Sequence, residues 1–303
     1  MTLRLAHTRE ELAGLTARAQ GRAPARAVGL VPTMGALHLG HAGLMRVARE
    51  RIGDGPLVVS VFVNPLQFGP TEDLDRYPRT LDADLEVCKR EGVDVVFAPS
   101  VDEVYPGGEP VVSVDPGPLA DELEGEVRPG HFRGVLTVVA KLLGLVRPDV
   151  AVLGQKDYQQ LVLVRRMVAD LCLGVDVVGA ETVREPDGLA LSSRNHYLDP
   201  ADRARATILN RALRTAQDRA SYGVPAARWA AMRVLDEDPE LELDYLDIRS
   251  ADLGELDDHP AGVEGRILIA ARLGSTRLID NLPLTVGVST GSTTESRSRC
   301  CAP

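Results

Sequence analysis

No stretch of this sequence reaches the roughly 18 uninterrupted apolar residues that a membrane-spanning helix needs. The longest approach, GVLTVVAKLLGLV at 134–146, is too short and is interrupted by Lys141. A basic excess is also missing, since 34 Lys and Arg face 44 Asp and Glu for a net charge of −10. That balance argues against a nucleic-acid binder, which carries a basic stripe or patch, while an acidic enzyme can still hold one basic pocket. The N-terminus, MTLRLAHTREEL, has charges where a secretory signal needs its apolar stretch. Cysteine is scarce: Cys88, Cys172 and the adjacent Cys300 and Cys301 show no metal-ligand spacing. They are expected to be reduced thiols of a cytoplasmic protein, with Cys88 and Cys172 buried in apolar patterns. Lysine is scarcer still, with only Lys89, Lys141 and Lys156. A compact ammonium kept at 156, in a glycine-bounded loop of an arginine-rich chain, suits a point charge on phosphate.

What is present is enough for a sizeable core: 303 residues, 44% of them hydrophobic, with a prior of about two domains. The first half alternates short apolar runs with helix-period segments. Strands are expected at 27–33, 57–64, 93–99, 149–154 and 175–180, with helices at 41–52, 81–92, 134–146 and 158–171. Runs that are apolar throughout fit strands covered on both faces, so these βα units predict a doubly wound parallel sheet with right-handed crossovers. Ligands of such sheets bind at the carboxyl ends of the strands. Near 183 the pattern changes to a loop, a long helix over 200–221, a shorter one near 226–236, and strands at 241–249, 265–273 and 276–284. This predicts two units, 1–182 and a smaller α+β domain at 183–288, followed by a disordered tail at 289–303.

The stretch PTMGALHLGH, Pro32 to His41, places His38 and His41 three residues apart where a strand gives way to a helix. Such a pair faces one way, beside free backbone N–H groups and the positive end of a helix dipole. Taken alone, it admits a metal pair, a phosphate clamp or two helix-cap histidines. Zinc would need further ligands, for which only the isolated His131 and His196 offer themselves. Gly40 would let a flat ligand approach the helix backbone.

Six blocks in order widen the signal: PTMGALHLGH, VVSVFVNPLQFGPTEDLDRYPRT, GHFRGVLTVVAKLL, GQKDYQQLVLVRRMV, VREPDGLALSSRNHYL and AARLGSTRLIDN. Together they make residues 1–288 resemble the pantothenate synthetases, the pantoate–β-alanine ligases of the H-x-G-H nucleotidyltransferase superfamily. The resemblance implies a Rossmann-like first domain. It also implies ATP-dependent condensation of pantoate with β-alanine through pantoyl adenylate, releasing pyrophosphate and then AMP.

The same resemblance places ATP on Met34, Gly35, Ala36, Leu37, His38, Leu39, Gly40 and His41. From later loops it adds Gly154, Gln155, Lys156 and Asp157, then Val183, Leu191, Ser192, Ser193 and Arg194. His38, His41, Lys156 and Arg194 are the expected catalytic groups. Gln67 and Gln160 are the expected pantoate amides, with Gln67 also near β-alanine; a glutamine can donate to a carboxylate and accept from a hydroxyl. Pro32, Met34, Phe62, Val138 and Val139 are candidates for an apolar wall, and Asn64 for the cleft lining. The loop at 69–80 is a candidate lid with Tyr77 closing over the phosphates.

Mg²⁺ is expected to accompany ATP on phosphate oxygens, with no protein ligand assigned, although Asp82 and Asp84 lie nearby in sequence. The resemblance further implies a homodimer. A different nucleotidyltransferase, adenylating another small acceptor, is the alternative. Three positions depart from the family pattern: Leu39 stands where H-E-G-H has glutamate, Gln155 where glutamate is usual, and Leu191 where methionine is usual.

Overall fold

The computed structural model describes residues 3–20, 26–69 and 74–287. The predicted tail at 289–303, with Cys300 and Cys301, lies outside the described residues, as does 70–73 within the loop at 69–80. The elements run β1 (Arg4–Ala6), α1 (Arg9–Gln20), β2 (Gly29–Thr33), α2 (Leu39–Ile52), β3 (Leu57–Val61), α3 (Leu81–Arg90), β4 (Val95–Phe97) and α4 (Val101–Val104). Then come α5 (Glu124–Val127), α6 (His131–Val146), β5 (Val150–Gly154), α7 (Tyr158–Asp170) and β6 (Asp176–Ala180). The remainder is α8 (Pro200–Arg205), α9 (Thr207–Arg219), α10 (Val224–Leu235), β7 (Glu242–Ser250), β8 (Val263–Leu273) and β9 (Thr276–Val286).

Strands β1 to β6 form one sheet in the order β1-β4-β3-β2-β5-β6, and every neighbouring pair is parallel. Successive residues of a strand point to opposite faces, and here they enter different cores. Leu30 and Val58 join the layer built with α1, α6 and α7, while Val31 and Val59 join the layer built with α2 and α3. Both faces are covered, which is why these strands are apolar at every position. Strands β7, β8 and β9 form a separate antiparallel sheet, against which α9 and α10 pack.

The sheet order reverses between β2 and β5, the topological switch point of a doubly wound fold. That seam opens for a legible reason. Strand β2 registers with β3 over five residue pairs but with β5 over only two, Gly29 with Val150 and Leu30 with Ala151. Phe62 N donates to Thr33 O on the β3 side (3.0 Å), so by alternation Pro32 faces β5. Proline has no N–H to extend that ladder. The carboxyl ends of β2 and β5 are therefore free to part, and a crevice lies between them.

Some expectations needed adjustment. The edge strand β1 and helix α1 were not anticipated, because a three-residue strand carries too little pattern to read. The single helix expected at 200–221 is broken into α8 and α9 at Ala206, and a 3₁₀ turn follows at Ala220–Tyr222. Asp199 and Pro200 start α8 as cap and first residue, and Leu209 N bonds the nearer Ala206 O (3.3 Å), tightening the chain at the break. Cys88 is buried as expected; Cys172, just past the end of α7 at a positive φ of 52°, is exposed instead.

Candidate active site

A cleft with about 230 Å³ of open volume lies at the carboxyl ends of β2 and β5. Its first wall is the start of α2. His38 caps that helix by accepting from Gly40 N through Nδ1 (3.1 Å), and His41 Nδ1 in turn accepts from His38 N (3.3 Å). A backbone amide can only donate, so both Nδ1 atoms are unprotonated and each neutral ring carries its proton on Nε2. The two rings stand 4.2 Å apart, centroid to centroid. Burial and then the neighbouring Lys156 and His196 push His38 down to about 4; burial and then His38 push His41 down to about 3. The pair is thus two neutral N–H donors near pH 7, not two cations. Gly40 lines the cleft and also serves the cap, since a Cβ there would stand 2.7 Å from His38 Cε1.

The loop before the helix is pinned from behind. Asp84, fully buried on α3, accepts from Ala36 N (3.2 Å) and Leu37 N (2.8 Å), and Thr80 Oγ1 donates to it (3.3 Å). Asp84 is therefore an anchor for the turn, and Asp82 is exposed. Gly35, Ala36 and Leu37, expected at ATP, are not among the residues lining the cleft; the amides of Ala36 and Leu37 turn to Asp84, and Leu37 packs against the core. Leu39 is 69% exposed, so the family's glutamate is replaced where the side chain leaves the cleft.

The second wall follows β5. Gly154, Lys156, Asp157 and Gln160 line the cleft. The Lys156 ammonium lies 3.5 Å from Asp157 Oδ1. Burial raises the Asp157 carboxyl, but Lys156, Arg194 and His131 outweigh it and hold the group below the usual range. Gln155 turns away: its amide donates to Gly179 O (3.0 Å) and accepts from the buried Arg266 (2.6 Å). The third wall is the loop after β6, where Val183, Leu191, Ser192, Ser193 and Arg194 face in. Ser192 Oγ accepts from Arg194 N (3.2 Å), capping the 3₁₀ turn Ser193–Tyr197. Lys156, Asp157, Ser192 and Arg194 also border an adjoining hollow lined by Arg272 and Arg277.

Gln67 sits at the apolar end, among Pro32, Met34, Phe62, Val138 and Val139, with Tyr77 nearby. Its support was only partly anticipated. Asn64 does not line the cleft; it is completely buried, accepts from Tyr105 OH (2.9 Å), and donates to Gly134 O (3.1 Å) and to Gln67 Oε1 (3.0 Å). That leaves the Gln67 NH₂ as the end offered to a ligand. The Gln67 carbonyl accepts from His131 Nδ1 (2.8 Å) and Arg128 Nη2 (3.2 Å). His131 thus acts as a support rather than a metal candidate, and it lines the cleft with Arg128, Glu181 and Thr182. Gly134 was the sequence signal available for this contact, because a Cβ there would meet Leu66 O at 2.0 Å. Among the described residues, no group of three or more His, Cys, Asp or Glu is arranged to hold a metal.

Two neutral donors, an ammonium and a guanidinium around a switch-point crevice suit a polyanion with a polar, part-apolar neighbour, the kind of site a phosphate-handling enzyme builds. Similarity to known proteins narrows that class. The family model for pantoate-beta-alanine ligase matches residues 4–283. A pantothenate synthetase from Nocardioides sp. is 68% identical over 288 residues, covering 93% of this chain and 86% of the relative. A pantothenate synthetase from Mycolicibacterium smegmatis is 56% identical, covering 89% and 84%. The crystal structure of pantothenate synthetase from Thermus thermophilus superposes with a TM-score of 0.83 at 49% identity, covering 92% of this chain and 98% of that one. The pantoate-beta-alanine ligase from Francisella tularensis, complexed with beta-gamma ATP and beta-alanine, gives 0.75 at 34% identity, covering 93% and 97%. The chain belongs to the pantoate–β-alanine ligase family.

Proposed function

We propose that this cleft performs ATP-dependent condensation of pantoate with β-alanine by a stated division of labour. ATP lies along the start of α2, with its adenosine toward Val183 and Leu191 and its phosphates toward the three polar walls. Pantoate occupies the apolar end, its carboxylate and hydroxyls met by Gln67 and Gln160. Its carboxylate oxygen attacks the α-phosphorus, the bond to the β-phosphate oxygen breaks, and pyrophosphate leaves. A carboxylate is already charged at neutral pH, so this step needs no general base. It needs donors placed where negative charge builds. The Nε2–H groups of His38 and His41, Lys156 and Arg194 supply them, and Ser192 and Ser193 add hydroxyls. The β-alanine nitrogen, near Gln67, then attacks the acyl carbon. The carbon–oxygen bond to AMP breaks, and the nitrogen loses a proton.

The observation that carries this reading is the convergence of His38, His41, Lys156 and Arg194 on one crevice from three separate loops. A different acceptor with its own phosphate would need further basic groups at the apolar end, where Gln67 and Gln160 stand among aliphatic side chains. Magnesium is proposed to arrive on the triphosphate, since Asp84 is committed to backbone amides and Asp157 to Lys156. We extend the proposal to residues 1–182 and 183–288 as two units facing one cleft, and to a cytoplasmic homodimer. Family membership supports the last two. No helix among the described residues is long and apolar enough to cross a membrane.

Pantoate-dependent exchange of labelled pyrophosphate into ATP tests the reading directly. His41→Ala and Lys156→Ala are each expected to lose about 10²-fold or more, the scale of a transition-state donor. Exchange that ignores pantoate, or survives both substitutions in folded protein, refutes it.

A further inference from the structure

Asp280 and Asn281 lie side by side on β9, both buried, and both reach out of their own sheet. Asn281 Nδ2 donates to Gln155 O (2.9 Å) and to Lys156 O (2.8 Å). Asp280 accepts both terminal nitrogens of Arg184 (2.6 and 2.8 Å), and Arg184 Nη2 also donates to Asn281 O (3.2 Å). Arg184 stands at the base of the loop that carries Ser192, Ser193 and Arg194. That base is closed by Leu191 N donating to Val183 O (3.0 Å) and by a bridge between Arg184 and Ala190. One dipeptide therefore holds the main chain at Lys156 and the root of the Arg194 loop.

The Asn281 amide has only one workable orientation. Its Oδ1 is buried and meets no donor among the described residues; turned over, that oxygen would face two carbonyls. A buried acceptor without a partner is costly, so the side chain is accounted for by what its NH₂ holds. Asn281 N also donates to Asp280 Oδ1 (2.7 Å), coupling the two side chains through the backbone.

We propose that Asp280 and Asn281 are positioning residues for adenylation, setting the separation of Lys156 and Arg194 across the phosphates. The proposal rests on those two groups being the phosphate donors. Neither Asp280 nor Asn281 touches substrate. The carbonyls at 155 and 156 belong to a short 3₁₀ turn between β5 and α7; without the Asn281 donor only that one turn restrains them, and a shift toward water would carry the lysine with it. A displacement of about 1 Å in a reacting group can cost on the order of 10²-fold in rate.

The test uses the full chain with two half-reactions: pyrophosphate exchange, and aminolysis of supplied pantoyl adenylate by β-alanine, which involves no β- or γ-phosphate. Asn281→Ala is expected to lower the exchange rate by about 10- to 10²-fold, with the pantoate KM unchanged and aminolysis largely kept. Asn281→Asp has the same size but no donor and should lose at least as much exchange. Should the added charge unfold it, Asn281→Ser and Asp280→Asn replace it, the latter keeping an acceptor for Arg184 without the ion pair. Wild-type exchange in folded Asn281→Ala overturns the proposal, and so does a parallel loss of both half-reactions with lowered thermal stability. Lys156→Ala separates the two levels. If that variant still exchanges, the phosphate reading fails; if it is dead while Asn281→Ala is active, only the positioning role fails.

Discussion

Replacing Gly134 by alanine adds one methyl group to the molecule, yet it should strike the end of the cleft proposed for pantoate. The new Cβ would stand 2.0 Å from Leu66 O, 2.4 Å from its carbonyl carbon and 3.0 Å from Gln67 N, all backbone atoms. A carbon–oxygen contact tolerates roughly 3.3 Å, so the Pro65–Gln67 turn must retreat by about 1.3 Å or α6 must move away. Either motion stretches the Asn64 bond to Gly134 O (3.1 Å) and the His131 bond to Gln67 O (2.8 Å). Forcing extra volume into a packed contact costs about 1–3 kcal/mol, and a shift of about 1 Å at a substrate-holding group can lower turnover by on the order of 10²-fold. Purified Gly134→Ala is expected to keep its helical circular dichroism and melt at a lower temperature. Its pantoate KM should rise at least tenfold, while its ATP KM moves little because the α2 cap lies on other supports. A folded variant with wild-type pantoate kinetics would show that the turn carrying Gln67 is not registered against α6.

Three further outcomes are expected. The rings of His38 and His41, pushed down to about 4 and about 3, should stay neutral in NMR titrations of the free protein from pH 8 to 5, and a midpoint near 6.5 for either refutes the cap assignment. An unfolded imidazole protonates near 6.5, so the unfolded chain binds protons first on acidification. The stability these neutral rings contribute is present above pH 6.5 and is lost between there and about pH 4 to 3. Asp84→Ala strips the acceptor from the amides of Ala36 and Leu37. It should cost about 1–3 kcal/mol in denaturant unfolding and raise the ATP KM; an unchanged midpoint and ATP KM would dispose of the anchor role.

Much of the molecule was written locally. Strands buried on both faces must be apolar throughout, so β2, β3 and β5 stood out, and the helices between them followed from the 3.6-residue period. The H-x-x-H turn, the lysine loop and the serine–arginine loop stood out through six blocks resembling one family, since taken alone the histidine pair admitted a metal, a phosphate or a plain helix cap. Strand β1 escaped because three residues hold no period.

Other facts exist only once distant segments meet. The histidine pair admitted a metal site, a phosphate clamp or helix caps; packing buried the rings, and two backbone amides claimed both Nδ1 atoms, making them neutral donors. Asn64 looked like a ligand contact and became a support for Gln67. His131 looked like a spare metal ligand and became a support for the same carbonyl. Gly134 is tight only because α6 lies against a turn some 70 residues away, and Asn281 finds its acceptors in carbonyls more than 120 residues earlier. A local pattern determines which groups a chain possesses, since propensity and periodicity act over a few residues. Protonation, orientation and reach depend on desolvation and on partners brought from far along the chain, and those were decided by the tertiary structure.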